Sequence, residues 1–296
     1  MNVNNAYILE DRGILYVSGA DAKDFLQNII TNDLNNVTDS NSCFSSLLTP
    51  QGKFLFEFLV IKHKEGYFFD CEKNQIDDLF KQLSLYKLRS NVQILNLSNE
   101  FIVTALSYEK FKSIKGSKDK LGFTMKYIED SILLDPRNKK LGARLIINLE
   151  KLNLSLEKLN LKSSKPEEYY NLSFELGIPQ KNTYKLKDKI FGLECNFEEL
   201  NAINFQKGCY VGQENTSRIK LRNKLRRRIL PIEKISGELI ENDIIKYKNN
   251  EVGKILIDNP YPFGLIKIVE PDLKEFSNVE LDCGKSKIKI QKPEWI

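Results

Sequence analysis

One segment concentrates residue types that could do chemistry. Positions 207–218 read Lys-Gly-Cys-Tyr-Val-Gly-Gln-Glu-Asn-Thr-Ser-Arg. Two closely spaced glycines with a cysteine beside the first indicate a tight backbone turn that presents the Cys209 thiol. Lys207, two positions earlier, could lower the pKa of that thiol and favour the reactive thiolate. A glycine-punctuated loop with a half-buried cysteine is the alternative that these residues leave open.

Basic residues are concentrated directly after this cysteine. Residues 218–228 contain seven Lys and Arg and no acidic residue, while the whole chain has net charge +5 and the remainder therefore −2. The alternation of basic and other residues through 218–226 predicts a strand with one cationic face. That face could meet phosphate, a carboxylate tail, RNA, an acidic partner or only solvent. The nearly neutral remainder argues against a general nucleic-acid-coating surface.

The histidine and cysteine counts exclude several kinds of site. The chain has one histidine, His63, which rules out His-rich metal sites and is expected in a solvated polar loop. Its five cysteines form no Cys-x-x-Cys pair. That pattern indicates neither a disulfide framework nor a self-contained zinc or iron–sulfur site, so we expect no resident metal.

Length and composition describe a folded protein of about two domains. The chain has 296 residues, of which 41% are hydrophobic and 29% charged. The N-terminus shows neither a secretion nor a transit signal, and the longest apolar run, 54–61, is too short to span a bilayer. We therefore expect a reduced, cytoplasmic bacterial protein that does not bind membranes.

The elements that must position the cysteine segment form two different patterns. Strands and helices alternate up to about residue 106, which predicts an α+β body with helices on one face of an antiparallel sheet. After residue 225, short strands separated by Gly, Pro, Asn and Asp predict a small barrel or sandwich. We therefore place the domains at 1–225 and 226–296. The strands predicted are 14–17, 43–48, 54–61, 67–71, 92–97, 101–106, 143–148, 228–232, 244–247, 252–258, 264–269, 279–281 and 286–290.

Residues 207–218 resemble the motif K-G-C-Y-x-G-Q-E-x-x-(A/S)-R of the YgfZ-type folate-binding proteins of iron–sulfur cluster assembly or repair, which are related to the glycine-cleavage T-protein, an aminomethyltransferase. Further matches lie at 17–21, 31–33, 48–53, 85–89, 135–137, 175–179 and 193–203. The resemblance implies an α+β body of intertwined ferredoxin-like subdomains around a central channel, with a C-terminal β-barrel. The signature residues it assigns are Lys207, Gly208, Cys209, Tyr210, Gly212, Gln213, Glu214 and Arg218.

The resemblance also implies a cofactor, tetrahydrofolate or a derivative. Glu175 occupies the position at which T-protein relatives bind the pterin edge, and a carboxylate suits the paired N–H donors of a pterin. Tyr169, six residues earlier, matches an aromatic residue that contacts folate. A surface glutamate and a core tyrosine are the structural alternatives for these two residues.

One departure from the T-protein pattern bears on catalysis. Aminomethyltransferases carry an Asp-Asp pair where this chain has Phe56 and Glu57. Glu57 is therefore a weak candidate for a catalytic acid, and it could instead be the outward-facing member of an alternating strand. Cys209 is the better candidate for the functional group.

These observations leave three functions, and whether the protein is an enzyme stays open. The first is a tetrahydrofolate-binding accessory protein whose partners are iron–sulfur client enzymes or assembly proteins. The second is a folate-dependent aminomethyl or methyl transferase or a demethylase, in which Glu57 or Asp33 would assist. The third, ranked last, is a tRNA-binding module that uses the cationic strand.

Overall fold

The computed structural model describes residues 1–127, 130–222 and 225–296. Within them the chain divides into two compact units, each built from three segments. Unit 1 comprises Met1–Leu48, Phe56–Tyr169 and Glu198–Val211. Unit 2 comprises Thr49–Leu55, Tyr170–Phe197 and Gly212–Ile296.

Eleven strands and five α-helices precede residue 176 in the described chain. The strands are β1 (Asn5–Ile8), β2 (Arg12–Ser18), β3 (Cys43–Leu48), β4 (Phe54–His63), β5 (Gly66–Glu72), β6 (Gln93–Asn96), β7 (Phe101–Leu106), β8 (Thr124–Tyr127), β9 (Asp130–Leu134), β10 (Ala143–Asn148) and β11 (Lys162–Ser164). The helices are α1 (Ala22–Ile29), α2 (Ile76–Lys87), α3 (Tyr108–Ser113), α4 (Leu152–Lys158) and α5 (Glu167–Glu175).

Two sheets organise unit 1. One has the order β11-β1-β7-β10-β9-β8 and the other β3-β4-β5-β2-β6. The first sheet is antiparallel in the registers found, except where β1 pairs in parallel with β11. Phe111 of α3 and Leu156 of α4 belong to the same buried cluster as Ile132 and Leu145 of that sheet. The helices therefore cover the apolar face of the sheet, as the amphipathic spacing requires.

Unit 2 contains a closed six-stranded barrel. Its strands are β12 (Arg227–Ser236), β13 (Ile244–Tyr247), β14 (Asn250–Ile257), β15 (Phe263–Lys267), β16 (Leu281–Cys283) and β17 (Ser286–Ile290). The order around the barrel is β12-β15-β14-β13-β16-β17. Alternate residues such as Leu230, Ile232 and Ile245 point inward and form one buried cluster, which explains the short alternating runs in the sequence.

Most of the predicted strands are present, and several bounds agree to the residue, as at Cys43–Leu48 and Phe101–Leu106. The sequence patterns missed β1, β8, β9 and β11, which are three to five residues long and carry too few residues to show a period. The predicted strand 279–281 lies instead at Leu281–Cys283. A short helix, α7 (Leu273–Phe276), interrupts the region that we expected to be all strand.

The prediction for His63 is wrong. This residue is the last of β4 and its ring stacks on Phe68 with the centroids 4.0 Å apart. Its edge neighbours are Tyr16 and Phe101, so the imidazole completes an aromatic cluster rather than standing in solvent. Burial, reinforced by the charges of nearby lysines, lowers the pKa of His63 to about 4. The residues next to His63 in the sequence are polar, but its ring lies in an apolar environment formed by residues of other strands.

Candidate functional site

Residues 201–211 lie along the C-terminal end of α1 in unit 1. The Thr31 hydroxyl donates a hydrogen bond to the Ala202 carbonyl at 2.7 Å, and the Asn204 amide donates to the Thr31 carbonyl at 3.1 Å. The Asn32 side-chain amide donates to the Asn201 carbonyl at 2.7 Å. These contacts dock the approach to the signature segment on the turn that follows α1.

Lys207 is a structural clamp in this arrangement. Its ammonium donates to the carbonyl oxygens of Gln27, Ile30 and Asn32 at 2.7, 2.7 and 2.8 Å. The last carbonyls of a helix lack helical partners and carry its negative end, so a cation is well placed there. An ammonium has three hydrogens, and all three are used. None is left to donate to Cys209, so Lys207 has a structural role that the sequence did not predict.

Burial lowers the pKa of Lys207. This residue is only 7% exposed, and the loss of hydration lowers its pKa to about 8, while the nearby Asp33 and Cys43 act in the opposite direction. At neutral pH the group is therefore still the ammonium that the three carbonyls need. The same burial raises the pKa of the Cys43 thiol to about 12, so Cys43 stays protonated beside it.

The loop after Lys207 is held at its other end as well. The Val211 amide donates to the Asn28 carbonyl at 3.2 Å, and the buried Tyr210 ring lies 5.2 Å from the Lys207 ammonium. Between these two attachments Gly208 and Cys209 are exposed. Apart from its two chain neighbours, no described residue has a heavy atom within 4 Å of the position that a Cβ on Gly208 would take. The backbone therefore presents a short, open tip that carries the thiol.

Cys209 differs from the other cysteines of the chain. All five lie in the described residues and none forms a disulfide. Cys43, Cys71, Cys195 and Cys283 are buried, whereas Cys209 is exposed. A thiol reacts or binds a metal only where a partner can reach it, so this difference singles out Cys209 as the candidate functional group.

The second half of the signature belongs to unit 2 and is a helix, α6 (Gln213–Leu221). Gly212 starts it in the left-handed region, at φ 86°, and its carbonyl accepts a hydrogen bond from the Thr216 hydroxyl at 2.9 Å. Glu214 and Arg218 form an exposed i, i+4 ion pair at 2.6 Å.

The turn between β3 and β4 packs against the start of α6. The Asn215 side-chain amide donates to the Gln51 carbonyl at 3.0 Å. A Cβ on Gly52, whose φ is 80°, would lie 3.2 Å from the Gly212 carbonyl oxygen. Gly52 therefore permits both the turn and the close approach of the helix. This contact joins two matched stretches of sequence that are far apart in the chain.

The predicted cationic strand at 218–226 is wrong for the described residues. Arg218 and Lys220 lie on α6, Arg222 caps its end, and β12 starts at Arg227. Lys224 lies outside the described residues. Alternation over so few residues suits a helix as well as a strand, and the Glu214–Arg218 pair favours the helix. The basic side chains therefore do not share one strand face.

The two predicted folate residues both lie on α5. Glu175 ends this helix, is exposed, and makes no hydrogen bond or ion pair with another residue of the described chain. Its carboxylate can accept the paired N–H donors of a pterin. Tyr169 is fully buried, and its hydroxyl accepts a hydrogen bond from Nη2 of Arg144 at 2.8 Å. The environments thus differ: Glu175 is available to a ligand, and Tyr169 is engaged within unit 1.

Unit 1 also buries a cluster of ion pairs that the motifs did not reveal. Asp70 binds both Arg12, at 2.7 Å, and Arg144. Asp135 accepts two hydrogen bonds from the Arg137 guanidinium, at 2.9 and 2.7 Å, and a third from the Arg137 backbone amide at 3.0 Å. Burial alone would raise the pKa of Asp70, but the two guanidinium groups hold it below its ordinary value. A single charge inside an apolar strand, as in Tyr-Phe-Phe-Asp-Cys, is the sequence signal for such pairing.

Glu57 lies in unit 1 and is not outward-facing. It is 8% exposed and makes no hydrogen bond with another described residue. Burial raises the pKa of Glu57 to about 7, although the charges of Arg137 and Arg12 act to lower it. A carboxyl group with that pKa can take up and release a proton near neutral pH.

No group of three or more His, Cys, Asp or Glu side chains within residues 1–127, 130–222 and 225–296 is placed to hold a metal ion. In those same ranges no helix is both long and apolar enough to cross a bilayer.

The fold of the whole chain is that of a known class of protein. The structure is similar to the crystal structure of the glycine cleavage system aminomethyltransferase T from Bartonella henselae, with a TM-score of 0.74 at 13% sequence identity. The match covers 99% of this chain and 86% of the other. The predicted fold, a T-protein-like α+β body with a C-terminal β-barrel, is thereby confirmed.

The sequence is similar to particular proteins named iron–sulfur cluster assembly factor IBA57 or its homologue, mitochondrial. Identity is 30% over 252 residues with the one from Dictyostelium discoideum, 29% over 289 residues with that from Neurospora crassa and 25% over 248 residues with that from mouse. The matches cover 76%, 92% and 78% of this chain and 61%, 61% and 66% of the relatives. The chain thus spans somewhat less than two thirds of these relatives. No protein-family model matches it.

These relatives contradict one expectation. We expected a bacterial cytoplasmic protein, but the similar proteins are from eukaryotes and are named mitochondrial. The expectation was inferred from the absence of an N-terminal signal, which is weak evidence about where a protein works.

Proposed function

We propose that this protein acts as an accessory factor in the assembly or repair of iron–sulfur clusters, with Cys209 as its working thiol. The observation that carries the proposal is that Cys209 is the exposed cysteine and lies on a loop fixed at both ends by Lys207 and Val211. The names of the similar proteins support the same process. Its partners would be iron–sulfur enzymes or the proteins that load them.

The chemistry of the loop fits this role. A thiolate can ligate iron or attack a disulfide or persulfide on a partner, and both reactions require access. The Lys207 side chain and the Val211 backbone amide, on either side of Cys209, bind carbonyl groups at and just after the C-terminal end of α1, so the loop that carries the thiol is anchored at both ends. An ordered loop avoids part of the entropy loss on complex formation.

The test compares two neighbouring substitutions in cells that depend on this protein for an iron–sulfur enzyme such as aconitase. Cys209→Ser should reduce the enzyme activity to that of cells without the protein. Gly208→Ala is the matched control, since the space around Gly208 is open and an alanine should fit. Equal loss in both variants would assign the role to the loop's shape, and full activity of Cys209→Ser would refute the proposal.

We further propose that the protein binds tetrahydrofolate or a derivative through Glu175. The exposed carboxylate of Glu175, which has no hydrogen bond or ion pair with another described residue, supports this contact. Titration of reduced folates should give binding that is lost in Glu175→Gln and kept in Glu167→Gln, which changes another exposed glutamate of α5. Absence of binding to the unchanged protein would remove the folate part of the proposal without affecting the Cys209 part.

A second candidate function is folate-dependent aminomethyl or methyl transfer, or demethylation. The observation that favours it is the buried Glu57 carboxyl, whose pKa of about 7 suits proton transfer. Turnover of an N-methyl or aminomethyl donor with tetrahydrofolate, lost in Glu57→Gln, would support it. The tRNA-binding alternative rested on a cationic strand, and α6 removes that premise.

A further inference from the structure

Unit 2 contains a cleft that neither Cys209 nor Glu175 lines. Its volume is about 530 Å³, within the range typical of small-molecule sites. It lies where the end of α6 and the loop before Glu194 meet the strands β12 and β15 of the barrel. The described residues that line it all belong to unit 2.

Cations dominate one side of the cleft. Arg227 is held by Glu194, at 2.9 Å, whose buried carboxylate also accepts the Phe191 amide. The exposed side chain of Arg226 makes no hydrogen bond or ion pair with any described residue. The Lys267 ammonium donates to the Glu251 carbonyl at 2.8 Å and keeps two hydrogens for another acceptor.

The charge balance favours an anion. Glu194 neutralises Arg227, which leaves Arg226 and Lys267 against one further acidic lining residue, Glu270. A carboxylate or phosphate between the guanidinium and the ammonium would form charge-assisted hydrogen bonds with both.

The rest of the lining is apolar. Phe191, Ile219, Leu225 and Val269 contribute an aromatic ring and three branched side chains. Val269 is 51% exposed, so its side chain is accessible to a ligand. Because four apolar side chains share this cleft with the cations, the lining suits a molecule that has an apolar part as well as a charge.

We propose that this cleft binds a small anionic molecule, whose carboxylate or phosphate pairs with Arg226 and Lys267 and whose apolar body packs on Phe191 and Val269. This site is independent of the proposed function, because it involves neither Cys209 nor Glu175. The class of ligand is an aromatic or aliphatic acid, or its phosphate ester.

The test uses the full chain and an anionic aromatic dye, anilinonaphthalene sulfonate, whose fluorescence rises in an apolar site. Arg226→Gln should weaken dye binding about tenfold, the typical effect of one charge-assisted hydrogen bond. Val269→Trp should weaken it similarly by filling the cleft. Arg222→Gln is the matched control, since Arg222 is exposed, carries the same charge and does not line the cleft.

Competition identifies the ligand class. Benzoate and phenyl phosphate should displace the dye, and whichever is stronger distinguishes a carboxylate from a phosphate ligand. Equal displacement by uncharged benzyl alcohol would overturn the anionic site. So would equal weakening by Arg222→Gln and Arg226→Gln, unchanged binding in Val269→Trp, or no binding to the unchanged protein. Thermal unfolding of each variant shows that the fold is retained, and Glu175→Gln should bind the dye normally.

Discussion

Unit 1 and the stretch from α6 to β12 in unit 2 use charge in opposite ways. In unit 1 the side chains of Arg144 and Asp70 are 1% and 0% exposed and form an ion pair. On α6 the side chains of Arg218 and Glu214 are 53% and 83% exposed and also form an ion pair. An ion pair of arginine with a carboxylate thus occurs in two dielectric environments.

The difference shows which charges hold the fold and which remain available. A buried charge has lost its hydration and must be paired, so removing one partner leaves an expensive unpaired group. An exposed pair gains little and is screened by water and salt. The signature segment contains both cases, because the Lys207 ammonium is buried and hydrogen-bonded within unit 1 whereas Arg218 is exposed at the surface.

The largest effect should come from removing the buried ammonium. Lys207→Met leaves three carbonyls in a buried turn without their donor and should lower the free energy of unfolding by about 3 kcal/mol. Urea denaturation measures it, and Lys220→Met, at an exposed lysine of α6, is the matched control, expected to change stability by less than about 0.5 kcal/mol. Similar small losses in both variants would contradict the view of Lys207 as a clamp.

A smaller effect, dependent on pH, should come from Glu57. Its carboxyl titrates near 4.5 in the unfolded chain and near 7 in the folded protein, so between these values the folded state holds a proton that the unfolded state has released. Stability should therefore fall as pH rises through this window. Glu57→Gln removes this loss of stability, which amounts to about 3 kcal/mol at most. The resulting gain in the variant is partly offset because the contacts of the carboxyl group are lost as well.

Urea midpoints at about pH 5 and about pH 8 measure the Glu57 effect, because these values lie near the two ends of the window. The advantage of Glu57→Gln over the unchanged protein should grow with pH. Glu214→Gln makes the same change of charge at the surface and corrects for net charge. A difference that stays constant with pH would show that Glu57 is already ionised in the folded protein.

The smallest effect should come from the exposed pair. Arg218→Gln breaks one i, i+4 contact on α6 and should cost less than about 0.5 kcal/mol, decreasing further in high salt. Urea denaturation at low and high salt measures both. A loss above about 1 kcal/mol that salt does not reduce would mean that the contrast between the two regions is not one of solvent exposure.

Local sequence patterns determined much of the fold. The run Cys43–Leu48, which is buried throughout, and the alternating run Ser286–Ile290 both located strands. Burial of both faces of a strand gives a continuous run, and burial of one face gives an alternating one. The same reasoning failed at 218–226, where basic and other residues alternate as in a strand although Arg218–Leu221 lie on α6. The signature segment and its cysteine could be recognised from residue types and spacing alone.

Only the tertiary structure decided what each member of that segment does. Lys207 finds its carbonyls 175 to 180 positions away, and Arg144 finds Asp70 at a separation of 74. Nothing in the residues beside Lys207 distinguishes a lysine that serves the thiol from one that ties down the loop. Solvent exposure and pairing depend on which distant strands and turns come together. For this reason Cys209 is accessible to solvent, whereas Glu57 is buried and has a raised pKa.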